Sequence, residues 1–261
     1  MSTKQDDFFV GYSSRLSRRT IGFLATTGAC LLIMAGLFAF SLGAGTADPG
    51  DGRFIGGGAN LQKLVGYVDV DPYPILRTLP DENDDTRAIP LTGAAKFNVE
   101  TQAADLQGQI VDIEGFILRR GALDMINLRG GYGNSYVKPT TRDLTPAQMS
   151  YVPEADEPLG RWRLVGEICD GKCYAGVMRP GNGIAHLACA DLCLLGGVPP
   201  VFVSTGDIDG ENFFWLADAD GGPLPDEFYP YVALRIGVEG EVERRDDIMI
   251  FKIDLSTVEV F

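Results

Sequence analysis

Residues Ile21 to Gly43, IGFLATTGACLLIMAGLFAFSLG, carry no charged side chain. At about 1.5 Å per residue, a helix of this length crosses a hydrocarbon core of about 30 Å. That run constrains everything else, because the rest of the chain must fold outside it. Lys4, Arg15, Arg18 and Arg19 precede it, and no Lys or Arg follows until Arg53. The positive-inside rule predicts a cytoplasmic N-terminus over residues 1–20, a transmembrane helix over 21–43 and an extracytoplasmic remainder. The competing reading is a signal peptide cleaved near Gly45-Thr46-Ala47. Signal peptides have apolar cores of about 7–15 residues, shorter than this run, which favours a retained anchor in the inner (cytoplasmic) membrane. Cys30, inside the run, reads as a small hydrophobe.

The whole chain carries a formal charge of −14, and its first twenty residues hold four basic and two acidic side chains. The part beyond residue 20 is therefore at −16. Such a surface repels polyanions, so nucleic acid is excluded as a partner. A protein partner, such as a membrane protein complex, is the class this placement allows.

Residues 44–63 are rich in Gly and Asp and read as a linker. Beyond them the chain reads as mainly β-structure, a first module over 64–131, a connection over 132–160 and a cysteine-containing module over 161–261. Pro72 and Pro74 predict that Leu64–Leu79 runs extended along a surface. Asp81-Glu-Asn-Asp-Asp85, Asp207-Ile-Asp-Gly210 and Asp218-Ala-Asp-Gly221 lack the spacing of a calcium loop and read as turns. Hairpins are predicted across Arg119-Arg120-Gly121 and across Glu243–Asp247. These two hairpins echo one another: Glu114-Gly, three residues, Arg119-Arg120 aligns with Glu239-Gly, three residues, Arg244-Arg245, at an offset of 125. Short strands spaced by turns predict one or two small antiparallel barrels.

Chemistry concentrates between Cys169 and Cys193. The run Cys169-Asp-Gly-Lys-Cys173 is followed by His186-Leu-Ala-Cys189-Ala-Asp-Leu-Cys193, which together hold four of the five cysteines and the single histidine. Ala185–Leu195 has good helix formers and ends at Gly196-Gly197 and Pro199-Pro200, so one short helix is predicted there. On it His186, Cys189 and Cys193 share a face. With Cys173 they make three thiolates and one imidazole, a set for one zinc or copper ion; Cys169 and Met178 are alternative ligands. Cys169, Cys173, Cys189 and Cys193 are equally the material for two disulfides in an exported domain. There is no Cys-x-x-Cys-His haem motif, and a Rieske centre needs a second histidine. A hydrolytic triad has no free histidine to use.

The stretch from Gly166 through Lys172-Cys173-Tyr174 to His186-x-x-Cys189-Ala190-x-x-Cys193-x-x-Gly196-Gly197 resembles a group of exported bacterial domains on a barrel similar to the OB fold. The resemblance covers about residues 160–255. It implies that Cys173, His186, Cys189 and Cys193 act together and that Cys169 is dispensable; it implies no activity. The expected function is that of a membrane-anchored accessory protein with a structural Cys/His cluster and no catalysis. Metal handling or electron transfer at the cluster is the alternative, and thiol–disulfide exchange the third.

Overall fold

The computed structural model describes residues 16–44, 50–81, 85–121, 123–131, 134–135 and 137–261. Residues 1–15, the Gly45-Thr46-Ala47 site and Glu82–Asp84 of the acidic cluster lie outside these. The chain divides into two units, Met1–Ala47 and Asp48–Phe261. In the first, α1 (Arg18–Ala44) is a continuous helix of 27 residues. Its best window reaches a mean hydropathy of 2.1 with nothing buried, so it is long and apolar enough to cross a membrane.

The second unit opens with β1 (Arg53–Phe54), β2 (Gln62–Asp69), β3 (Ile75–Thr78), β4 (Ala88–Thr92), the short helix α2 (Glu100–Ala103), β5 (Ile110–Arg120) and β6 (Leu123–Leu128). Hydrogen bonding runs β2-β3-β4-β6-β5 and returns from β5 to β2. The pairing of β4 with β6 is parallel, and the other pairs of the circuit are antiparallel. Alternation places Val111, Ile113 and Ile117 of β5 inside. The two-residue strands β7 (Gly130–Gly131) and β8 (Asn134–Ser135) pair with each other, and β9 (Val137–Pro139) adds to β5. Next comes α3 (Pro146–Ser150), whose Thr145 and Gln148 form a reciprocal capping box.

A closed barrel follows: β10 (Glu157–Asp170), β11 (Pro200–Ile208), β12 (Glu211–Ala217), β13 (Ile236–Arg245) and β14 (Ile248–Val260), in the order β10-β11-β12-β14-β13. Helix α4 (Leu187–Leu195) lies between β10 and β11. The strand order and the single parallel pair, β12 with β14, repeat those of the first circuit. This is the mainly β, barrel-forming class expected, in the OB-like order. The echoed hairpins occupy equivalent places, with Arg120 opposite Leu123 and Arg245 opposite Ile248. Their glycines serve the same contact. A Cβ on Gly115 would sit 2.6 Å from the Asn127 carbonyl oxygen, and one on Gly240 would sit 2.2 Å from that of Lys252. Only glycine lets the strands approach so closely.

The major difference between the barrels is the connection from first to second strand. Residues 70–74 make it in one, whereas residues 171–199, the cysteine segment, make it in the other. The prediction for Leu64–Leu79 needs correction: β2 and β3 are barrel strands, and Ile75 and Leu76 are fully buried. The prolines fall in the turn between them, where they cost no ladder bond.

Each barrel has its own core, and a third cluster joins them. It brings Tyr73, Ile75, Leu123 and Met125 of the first barrel against Val201, Phe213, Trp215, Ile248 and Ile250 of the second. Polar contacts across the seam are reciprocal. Arg120, at one hairpin turn, stacks 4.3 Å from the ring centroid of Tyr174 in the cysteine segment. Arg245, at the matching turn, donates to the Asp71 carbonyl at 2.6 Å and pairs with Asp69 at 3.1 Å, both beside the shorter connection. Arg77 donates from Nε and Nη2 to the two oxygens of Asp246, at 2.7 and 2.8 Å, with both side chains more than nine-tenths buried.

Removing one partner of such a pair strands a buried charge. Arg77→Ala is therefore expected to lower the unfolding free energy by about 3–5 kcal/mol. Denaturant titration checks this, and Arg77→Ala/Asp246→Ala together should cost less than the sum of the two single changes.

Candidate metal centre

The cluster is assembled by one strand end, one irregular turn and one helix. Asp170 is the last residue of β10 and is fully buried. Its Oδ1 accepts the backbone N–H of Cys173 at 2.8 Å. Its Oδ2 lies 2.9 Å from Nε2 of His186. One carboxylate thus fixes the turn that carries Cys173 and the ring that precedes α4. The turn over Cys173–Val177 is wider than an α-helical one and passes through Gly176 at φ 129°, a conformation that favours glycine. Helix α4 begins at Leu187, with His186 at the end of a short 3-10 turn, so His186 enters the cluster from the helix start.

Cys173 is the hub. Its Sγ lies 3.9 Å from Sγ of Cys189 and 3.9 Å from Sγ of Cys193. The ligand atoms of Cys173, His186 and Cys189 fall within 4.8 Å of one another, as do those of Asp170, Cys173 and Cys193. A tetrahedral ion with Zn–S bonds of about 2.3 Å sets its sulfurs about 3.8 Å apart. The two sulfur separations from Cys173 match that spacing. The cluster could therefore bind metal, and Nε2 of His186 is held by Asp170. A histidine held through its other nitrogen by a carboxylate is the usual second layer of such a site.

Among the described residues no cysteine pair lies at disulfide-bonding distance. All five cysteines are free, and 3.9 Å is far beyond an S–S bond of about 2.05 Å. Cys169 is set apart for a reason of strand geometry. Alternation along β10 turns Asp170 toward the cluster and Cys169 the other way, into the seam between the barrels. Its thiol donates to Oε1 of Glu167 at 3.3 Å, and burial pushes its pKa well up. Met178 is half exposed.

Two lysines complete the surroundings; the sequence pattern included Lys172 without a role and pointed to neither Lys96 nor Asp170. Lys96, from the loop after β4 of the first barrel, donates to Sγ of Cys189 at 3.0 Å, Sγ of Cys193 at 3.2 Å and the Cys189 carbonyl at 3.1 Å. Burial opposes its charge, but the bonds to Cys189 and Cys193 outweigh this and hold its pKa above the ordinary lysine value. Lys172 is buried and donates to the carbonyls of Gly93 and Ala95 at 2.6 and 2.7 Å. That burial lowers its pKa to about 8. The hydrogen bond from Cys173, assisted by Lys96, lowers the Cys193 pKa to about 7. The donor, Cys173, is pushed well up by that same bond and by burial. The Lys96 ammonium faces that pair, 3.2 Å from the Cys193 sulfur.

The loop 93–98 and the cysteine segment also share backbone. Asn98 N–H donates to the Gly196 carbonyl at 2.9 Å, and a Cβ on Gly196 would fall 1.7 Å from the Lys96 carbonyl oxygen. The glycine that ends α4 is there to admit the first barrel. Asp170 was in principle visible as the residue inside Cys169-Asp-Gly-Lys-Cys173, whereas Lys96 had no local signal. No family model, curated protein or solved structure matches the chain.

Asp170→Ala would leave the Cys173 N–H and His186 Nε2 buried without their acceptor. It is expected to cost about 2–4 kcal/mol in urea unfolding, and Asp170→Asn less, because an amide oxygen still accepts one of the two bonds.

Proposed function

We propose that the protein is a membrane-anchored, non-catalytic accessory protein of the extracytoplasmic face of the inner membrane, in which Cys173, His186, Cys189 and Cys193 hold one zinc ion as a structural staple. The observation that carries this reading is the placement of the Cys173 sulfur 3.9 Å from two further sulfurs, with His186 within reach. A sulfur-rich set with one imidazole suits zinc, and closed, buried sites of that kind are structural. Cys173, Cys193 and His186 are each almost fully buried, which favours a closed site over one that keeps a position for substrate. Lys96 would offset the surplus negative charge of three thiolates around a divalent ion. The membrane part of the reading rests on α1 and the basic residues ahead of it, and the accessory role on the acidic surface of the remainder.

Elemental analysis with thiol counting on the purified chain tests the staple. One zinc per chain is expected, lost with Cys173→Ser and kept with Cys169→Ser, and chelation should lower the thermal midpoint. Copper at the same stoichiometry would instead support the electron-transfer alternative. Metal-free protein with paired cysteines would sink the metal reading. Zinc requires thiolates, and Cys173 holds its proton tightly. Uptake must release protons, so zinc affinity should weaken steadily as pH falls; an affinity independent of pH would contradict ligation through Cys173.

A further inference from the structure

Residues 180–199 contain a single charged side chain, Asp191, in a chain that is 22% charged. Such a stretch should be buried, and its outer side is not. Ile184, Leu192 and Leu195 are 65%, 56% and 67% exposed. With Ala188, also exposed, they fall at i, i+4, i+8 and i+11, which is one continuous apolar stripe on the outside of α4 and its leading turn. The inner side of α4, with Ala190, Cys193 and Leu194, is packed on the protein. Asp191, three residues after Ala188 and four before Leu195, borders this stripe; apart from it the helix is apolar, and it is covered on one side only.

The segment also adjoins the place where the chain enters the second unit. Gly52 packs so tightly on Ala175 and Gly176 that a Cβ there would lie 2.7 Å from the Gly176 Cα. Arg179 donates from Nη2 to the Gly52 carbonyl at 3.2 Å. Val177 and Met178, beside this entry, are 40% and 47% exposed. Only residues 45–51 separate the end of α1 from Gly52, a reach of at most about 29 Å.

From this we infer that the apolar outer face of residues 177–195 docks on the lipid surface of the membrane that holds α1. The inference rests on the anchor reading above. The tether supplies that surface at high effective concentration, so a modest patch suffices. This face carries Arg179 and Asp191 and so no net charge, which on an acidic protein suits zwitterionic lipid and gains nothing from anionic lipid. Docking would also cover Cys189, the half-buried member of the cluster, and keep water from it.

Tryptophan probes in the full chain, reconstituted in phosphatidylcholine vesicles with and without doxyl-labelled lipid, test this. Leu192→Trp and Ile184→Trp place the probe on the stripe, and Val152→Trp places it at a residue 77% exposed outside the segment. Wild-type emission from Trp162 and Trp215 is the baseline. The added emission of both stripe variants should fall by about twofold or more on doxyl labelling, because an interfacial helix sits within the headgroup and acyl boundary, while that of Val152→Trp stays unchanged. Equal quenching at all three sites, or none on the stripe, overturns the docking. A blue-shifted but unquenched stripe overturns it too, since a protein surface would then be the cover. If the wild-type chain fails to float with the vesicles, the anchor reading falls first and the docking falls with it.

Discussion

The apolar seam between the two barrels is the contact on which the remaining architecture depends. Trp215 is only 1% exposed there, with Tyr73 edge-on at 5.9 Å and Leu123, Met125, Ile248 and Ile250 around them. Two barrels of this size have modest cores when taken separately, and joining them adds a third. The seam also aligns the polar contacts. Asp246 reaches Arg77, and Asp247 accepts the backbone N–H of Ala88 at 2.7 Å, so one hairpin turn closes on the neighbouring barrel's β3 and β4.

The second consequence of the seam is chemical. The cysteine segment belongs to one barrel by sequence but is completed by the other. Lys96 brings a positive charge against Cys189 and Cys193, while Lys172 sends one back to the carbonyls of Gly93 and Ala95. A buried ammonium is costly unless its donors are used, and both are tied to acceptors. A thiol cluster that shares a proton between Cys173 and Cys193 likewise needs a cation beside it. The exchange of lysines therefore satisfies both sides and fixes how loop 93–98 meets α4.

The matched hairpins explain why the cluster sits where it does. Arg120 and Arg245 stand 125 residues apart, and each meets the first-to-second-strand connection of the opposite barrel. In one barrel that connection is short and offers Asp71, next to Asp69 at the end of β2; in the other it is expanded into the segment holding Tyr174, the three clustered cysteines and His186. The same framework thus hosts a plain turn on one side and a ligand-bearing insertion on the other, in keeping with sites being grafted on to folds.

Local pattern made part of this legible. The apolar run of α1, the paired hairpins, and the common helical face of Cys189 and Cys193 all follow from periodicities of 3.6 or 2, which any short window of sequence displays. The chain therefore determined by itself that it has a membrane-length helix, a mainly β remainder and a thiol-rich helix. Tertiary structure alone decided which groups meet. Alternation along β10 sent Cys169 to the seam and Asp170 to the cluster, and the strand prolines at 72 and 74 became a turn. The lysine that faces the thiols comes from a loop 93 residues before Cys189, and no spacing rule spans that distance. Sequence periodicity records which face of an element is apolar; it does not record which other element that face will meet.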